Sequence, residues 1–120
     1  MIPPIFEIVK ANAAATAFIG TAPVRFYPWL EAPQNKVYPY ATYTYSGLPE
    51  NYLGDLPDVD NFSTQVNVWA ENGDDCINTA RAIRDAVEPK GHMTSIGQVS
   101  RDPETKSYRI RMDFAIYTPR

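Results

Sequence analysis

Apolar positions recur along this 120-residue chain with two periods, and the switches between them mark the elements. Ile5, Phe6, Ile8, Val9 and Ala13 follow Pro3 and Pro4 at helical spacing. Proline suits a first helical turn, whose amides have no partner inside the helix. The spacing predicts a helix over residues 4–17, with Gly20 as its stop. Val24–Tyr27 reads as a short strand ended by Pro28, and residues 31–39, with two prolines, as a loop. Tyr40–Ser46 is rich in tyrosine and threonine, which suit a pleated, half-buried surface. Ala41, Tyr43 and Tyr45 share one face of it, and Tyr40, Thr42, Thr44 and Ser46 the other.

Residues 47–60 hold Gly47, Pro49, Gly54 and Pro57 with three aspartates. They read as a loop of about 14 residues, a length that is often functional when ordered. Phe62, Thr64, Val66, Val68 and Ala70 then alternate with Ser63, Gln65, Asn67 and Trp69, the pattern of a strand with one apolar face. Asn72-Gly73-Asp74-Asp75 offers a turn, a cap and negative charge to a helix start. Ile77, Ala80, Ile83 and Val87 predict that helix over residues 74–88, ending before Pro89. Residues 92–100 form a weaker strand, and Asp102–Lys106 a hairpin turn. In the last strand Tyr108, Ile110, Met112, Phe114 and Ile116 face one way, and Ser107, Arg109, Arg111 and Asp113 the other.

A sheet with one apolar face needs a cover, and amphipathic helices supply it. The expected class is α+β: a mostly antiparallel sheet of four to five strands against two helices, in the order α-β-β-β-α-β-β. Val66, Val68, Ile110, Met112, Phe114 and Ile116 should line the buried face, under Ile77, Ala80, Ile83 and Val87. The length predicts a single domain over residues 1–120.

Composition narrows the function classes. The chain is 44% hydrophobic and 21% charged, which excludes a largely disordered polymer. One cysteine cannot form an internal disulfide. Glu7 and Lys10 interrupt the only early apolar stretch, so no secretory signal or membrane anchor is expected. The net charge of −3 leaves no basic footprint over the whole domain, and no direct sequence-specific nucleic-acid binding is expected. The charge is unevenly placed. Glu50, Asp55, Asp58, Asp60, Glu71, Asp74 and Asp75 give residues 50–75 a balance of −7 with no basic residue. Residues 1–49 carry +1 and residues 76–120 carry +3. Such asymmetry lets copies of one protein attract each other head to tail.

Catalytic chemistry finds little to work with. Cys76 falls in the first turn of the second helix, where the helix field favours a thiolate, but Asp74 and Asp75 oppose it. A small buried residue packed on the sheet is the simpler reading. His92 follows a glycine at a strand start and reads as a turn or surface position. Asp55, Asp58 and Asp60 lack the spacing and closing glutamate of a calcium loop, and one Cys with one His makes no zinc site. No phosphate-binding loop, dinucleotide fingerprint or nucleophile motif occurs. No catalytic, cofactor or metal residue is assigned.

The aromatics say more. Trp29 sits beside a loop, and Trp69 on the polar face of its strand, where a loop or a partner chain must cover it. Tyrosine and tryptophan are common interface anchors. Tyr52, Leu53, Asp55, Leu56, Asp58, Asp60, Trp29 and Trp69 are therefore the candidate interface residues. Two other classes compete: a small ligand-binding or enzymatic domain with a pocket under the 47–60 loop, and a nucleic-acid adaptor using Arg81, Arg84, Arg101, Arg109 and Arg111.

The order of segments adds a resemblance. IFEIVKANAAATAFIG is followed by RFYPWLEAPQ, then PYATYTYSGLPENYLGDLPDVDN, FSTQVNVWA, CINTARAIRDAVE and RDPETKSYRIRMDFAIYT. Collinear over nearly the whole chain, this resembles the tail-completion, or tail-terminator, family of long-tailed bacteriophages and related prophages. Its most specific parts run from Pro39 through Asn61 and across the RDPET turn. The resemblance implies a non-enzymatic virion structural protein, assembled in the bacterial host cytoplasm and resident in the tail. It implies a ring, typically of six copies, on the head-proximal end of the tail tube. That ring stops tube polymerisation and docks the head connector. The implied partners are further copies of the chain, the tail tube protein and a head-completion protein, with no membrane.

Overall fold

The computed structural model describes residues 4–21, 24–28, 37–50, 59–103 and 106–119. In chain order the elements are α1 (Ile5–Lys10), α2 (Ala13–Ile19), β1 (Phe26–Pro28), β2 (Tyr40–Glu50), β3 (Val59–Ala70), α3 (Gly73–Val87), β4 (Gly91–Ile96), β5 (Ser100–Arg101) and β6 (Tyr108–Pro119). The strands form one sheet in the order β1-β2-β3-β6-β4, with β5 beside β6. Among the described residues only β1 and β2 run parallel; every other pairing is antiparallel. The fold is α+β.

The alternation read from β3 and β6 sets the buried face. Val66 pairs with Met112, Val68 with Ile110 and Phe62 with Ile116, and all six are buried. On β2, Ala41 and Tyr43 continue this face, and the Phe26 ring of β1 packs on Tyr43 at 4.7 Å. The three helices cover it with Ile5 and Val9 of α1, Ala15 and Ile19 of α2, and Cys76, Ala80, Ile83 and Val87 of α3.

Four expectations are corrected. The helix over 4–17 is two helices, because Asn12 adopts an extended conformation and its side chain accepts the Ala15 amide at 2.9 Å. A short amide side chain thus competes with the ladder and restarts it. The second helix still stops at Gly20, whose φ of 84° suits glycine. The strand over 92–100 splits into β4 and β5, with a register shift between Met93 and Ser95. Ile77 is 40% exposed rather than part of the cover. The inward stripe of α3 runs through Cys76, Thr79, Ala80, Ile83 and Val87, and Ile77 lies at its margin.

The fourth correction concerns the long loop. Residues 47–50 belong to β2 and residues 59–60 to β3, so paired strands take up both of its ends. Ladder pairing runs out to Glu50 opposite Val59 despite Pro49, because the partner strand supplies the backbone bonds that composition alone does not reveal. Residues 51–58 lie outside the described residues.

Candidate interaction surface

The strand alternation that buries one face of the sheet turns a polar face outward. Thr44, Ser46, Ser63, Gln65, Arg109, Arg111 and Asp113 lie on this outer face, and the helices lie on the other. Arg111 pairs with Asp113 at 3.2 Å, and the Ser95 hydroxyl donates to the same carboxylate at 2.6 Å. Ser95, Gly97, Gln98, Ser100, Arg109 and Arg111 line an open cleft of about 390 Å³. A neighbouring cleft of about 230 Å³ adds Arg101, Asp102 and Pro103.

Trp69 is half-buried on this face. It is covered by Tyr40 of the adjacent strand, whose ring stacks on it at 5.2 Å and 11°. Tyr38 and Tyr27 lean on Tyr40 at 5.3 and 6.4 Å. Burial first, then the negative charges of Tyr38 and Asp102, push the Tyr40 hydroxyl up to about 12. Within the sheet, the cover of Trp69 is thus the Tyr40 ring. Arg25, which the sequence pattern did not single out, fixes this corner. Its guanidinium donates to the carbonyls of Pro39 at 3.0 Å and Phe18 at 2.8 Å, tying the end of α2 to the start of β2. An isolated arginine between a helix and a strand carries no periodic signal that would reveal this.

Of the other candidates, Asp60 is placed by its backbone, opposite Pro49 and Thr118 near the end of the sheet. Trp29, Tyr52, Leu53, Asp55, Leu56 and Asp58 lie outside the described residues. The arginines of the nucleic-acid reading are divided. Arg109 and Arg111 are on the outer face, whereas Arg81 and Arg84 border a recess on the helical side with Ile110 and Met112.

Cys76 is fully buried, and its thiol donates to the Val68 carbonyl at 3.6 Å. Burial raises its pKa to about 11, against a smaller lowering by a backbone hydrogen bond at Ile110. A thiol so held is a packing group, not a nucleophile. His92 is exposed on β4, its ring 6.3 Å from that of Tyr117. Among the described residues no group of three His, Cys, Asp or Glu side chains is arranged to hold a metal ion. Among the described residues no helix is long and apolar enough to cross a membrane.

Comparison with known proteins follows the same lines. The family model described as tail completion protein gp17 matches residues 3–119. A chain in the structure titled "Virion of native gene transfer agent (GTA) particle" superposes with a TM-score of 0.68 at 15% identity. The match covers 97% of this chain and 92% of that one, and at such identity it shows a shared fold. No curated protein matches.

Proposed function

The chain belongs to the tail completion protein gp17 family and is a structural protein of the virion tail, and from that premise we propose that it is the tail terminator. In this reading copies of the chain close into a ring, typically of six, at the head-proximal end of the tail tube. The ring ends tube polymerisation and presents a surface to the head-completion protein. The observation that carries the reading is the family match from residue 3 to residue 119, which spans every element of the fold.

The distribution of charge and strand edges supports ring closure. A ring needs two different patches on each subunit, because a self-complementary patch stops at a dimer. The acidic 50–75 segment and the basic residues after it supply unlike patches. The sheet ends in two unlike strands: the three-residue β1, closed by Pro28, and the six-residue β4. Tyr52, Leu53, Asp55, Leu56 and Asp58, in the chain between β2 and β3, with Asp60 at the start of β3, are the proposed contact to a neighbouring subunit or the tube. Trp29 and Trp69 are proposed as secondary anchors.

The test is assembly in an infected or induced cell. Leu53→Ser with Leu56→Ser should leave a folded subunit and produce overlong or headless tails by electron microscopy. Reversing Asp58 and Asp60 to lysine should weaken self-association of the purified protein in a salt-dependent manner. Normal tails joined to heads in the leucine variant would remove this segment from the mechanism.

A further inference from the structure

The side of α3 that meets β4 leaves an apolar notch open. Ile77 and Ile96 are 40% and 56% exposed. With Ala80, Ile110 and Met112 they form a recess of about 110 Å³, bordered by Arg81 and Arg84. β4 is the outermost strand on this side of the sheet. Arg84 is held by Asp85 at 3.0 Å and Glu88 at 3.3 Å, whereas no ion pair among the described residues involves Arg81. A recess of this size takes one aliphatic side chain. Two arginines one helical turn apart, about 5–6 Å, favour a carboxylate beside it.

The chain itself contains a matching segment. In Leu53-Gly54-Asp55-Leu56-Pro57-Asp58 an aspartate follows each leucine by two residues. In an extended chain two such residues lie on one side, about 7 Å apart. One copy cannot seat this segment in its own notch. Glu50 and Val59 are paired, so the eight residues between them extend at most about 16 Å from that pair and back. The notch lies beside Met112, seven residues along β6 from Pro119, the partner of Val59. That is about 23 Å along the strand, with two strand spacings of about 4.8 Å across to β4. The complementary parts can meet only between copies. Because they are different patches, the contact propagates head to tail.

We propose that the notch between α3 and β4 receives a leucine of the Leu53–Asp58 segment from a second copy of the chain, with Arg81 beside the following aspartate. This rests on the ring reading above and names the receiving surface of that contact.

A synthetic peptide of residues 49–60, added to the full-length protein, tests the notch apart from assembly. NMR shifts are expected at Ile77, Ala80, Arg81, Ile96 and Met112. Arg81→Glu changes an exposed side chain and should keep the fold. It should weaken both peptide binding and self-association by about tenfold or more, the scale of one desolvated ion pair. Ile77→Asp should do the same, and Asp55→Lys with Asp58→Lys should restore part of the association of Arg81→Glu. Arg109→Glu, on the opposite face, should leave both readouts unchanged. Self-association that is indifferent to Arg81→Glu and Ile77→Asp, or peptide shifts centred on Arg109, overturns the notch and leaves the ring reading standing. Peptide capture at the notch by a chain that stays monomeric at every concentration and on tail tubes upholds the notch chemistry and overturns the ring.

Discussion

The two faces of one sheet obey different rules. On the helical face, Val66, Val68, Ile110, Met112, Phe114 and Ile116 are all at most 4% exposed and interlock with three helices. On the other, the same strands present Ser63, Gln65, Arg109 and Arg111, with one aromatic cluster of Tyr27, Tyr38, Tyr40 and Trp69 at a corner. The difference teaches where stability and recognition are stored. Burial of apolar area holds the subunit together. The outer face is itself buried at Tyr40, Thr42 and Asn67, and its exposed part, with Ser63, Arg109 and Arg111, and the edge at β4 are open to what they meet.

The largest break in that comparison is Phe114→Ala. Its side chain is 1% exposed, and its removal should cost about 3–5 kcal/mol in urea unfolding. Its neighbour Asp113, on the outer face, should cost less than about 1 kcal/mol as alanine, since it pairs with an Arg111 side chain that is 54% exposed. Equal losses would mean that the faces are not energetically distinct. Gly91→Ala probes where β4 joins the sheet. A Cβ there would lie 2.7 Å from the Ala115 carbonyl oxygen and 2.9 Å from Ile116 Cγ1, so the strand must move away. A loss of about 1–3 kcal/mol is expected, with fast amide exchange confined to β4 and its β6 partners.

Trp69→Ala sharpens the contrast from the outer side. It removes the stack on Tyr40 and should cost about 1–2 kcal/mol, between the values for Phe114 and Asp113. A near-zero change, with self-association weakened instead, would make Trp69 an interface anchor rather than a structural one. The last effect is confined to alkaline pH and leaves neutral-pH stability untouched. The Tyr40 pKa is raised in the folded state from 10.0 to about 12, so the folded protein holds this proton more tightly than the unfolded chain. Its contribution is complete below pH 10 and is lost as pH rises toward 12. Tyr40→Phe should flatten the stability profile in that window and nowhere below it. The Cys76 thiol, raised to about 11, acts in the same direction in both proteins and cancels in the difference.

What the sequence by itself determined is what repeats locally. Period-two alternation assigned every buried residue of β3 and β6 to its face before any pairing was known, because successive strand side chains must point to opposite sides. Asn72 capped α3 as its residue type requires, accepting the Asp75 amide at 2.8 Å. The collinear segment order was enough to suggest the tail-completion family. Tertiary structure decided the rest. The hairpin runs on through Gly47–Glu50 because β3 and β6 continue alongside it. Ile77 is left exposed because the axis of α3 aims the stripe from Cys76 to Val87 at the sheet. The arginines part onto two surfaces because Arg81 and Arg84 sit on a helix and Arg109 and Arg111 on the far side of a strand. Each of these outcomes depends on contacts between residues distant in the chain, and a local period carries no information about which distant segment will lie beside it.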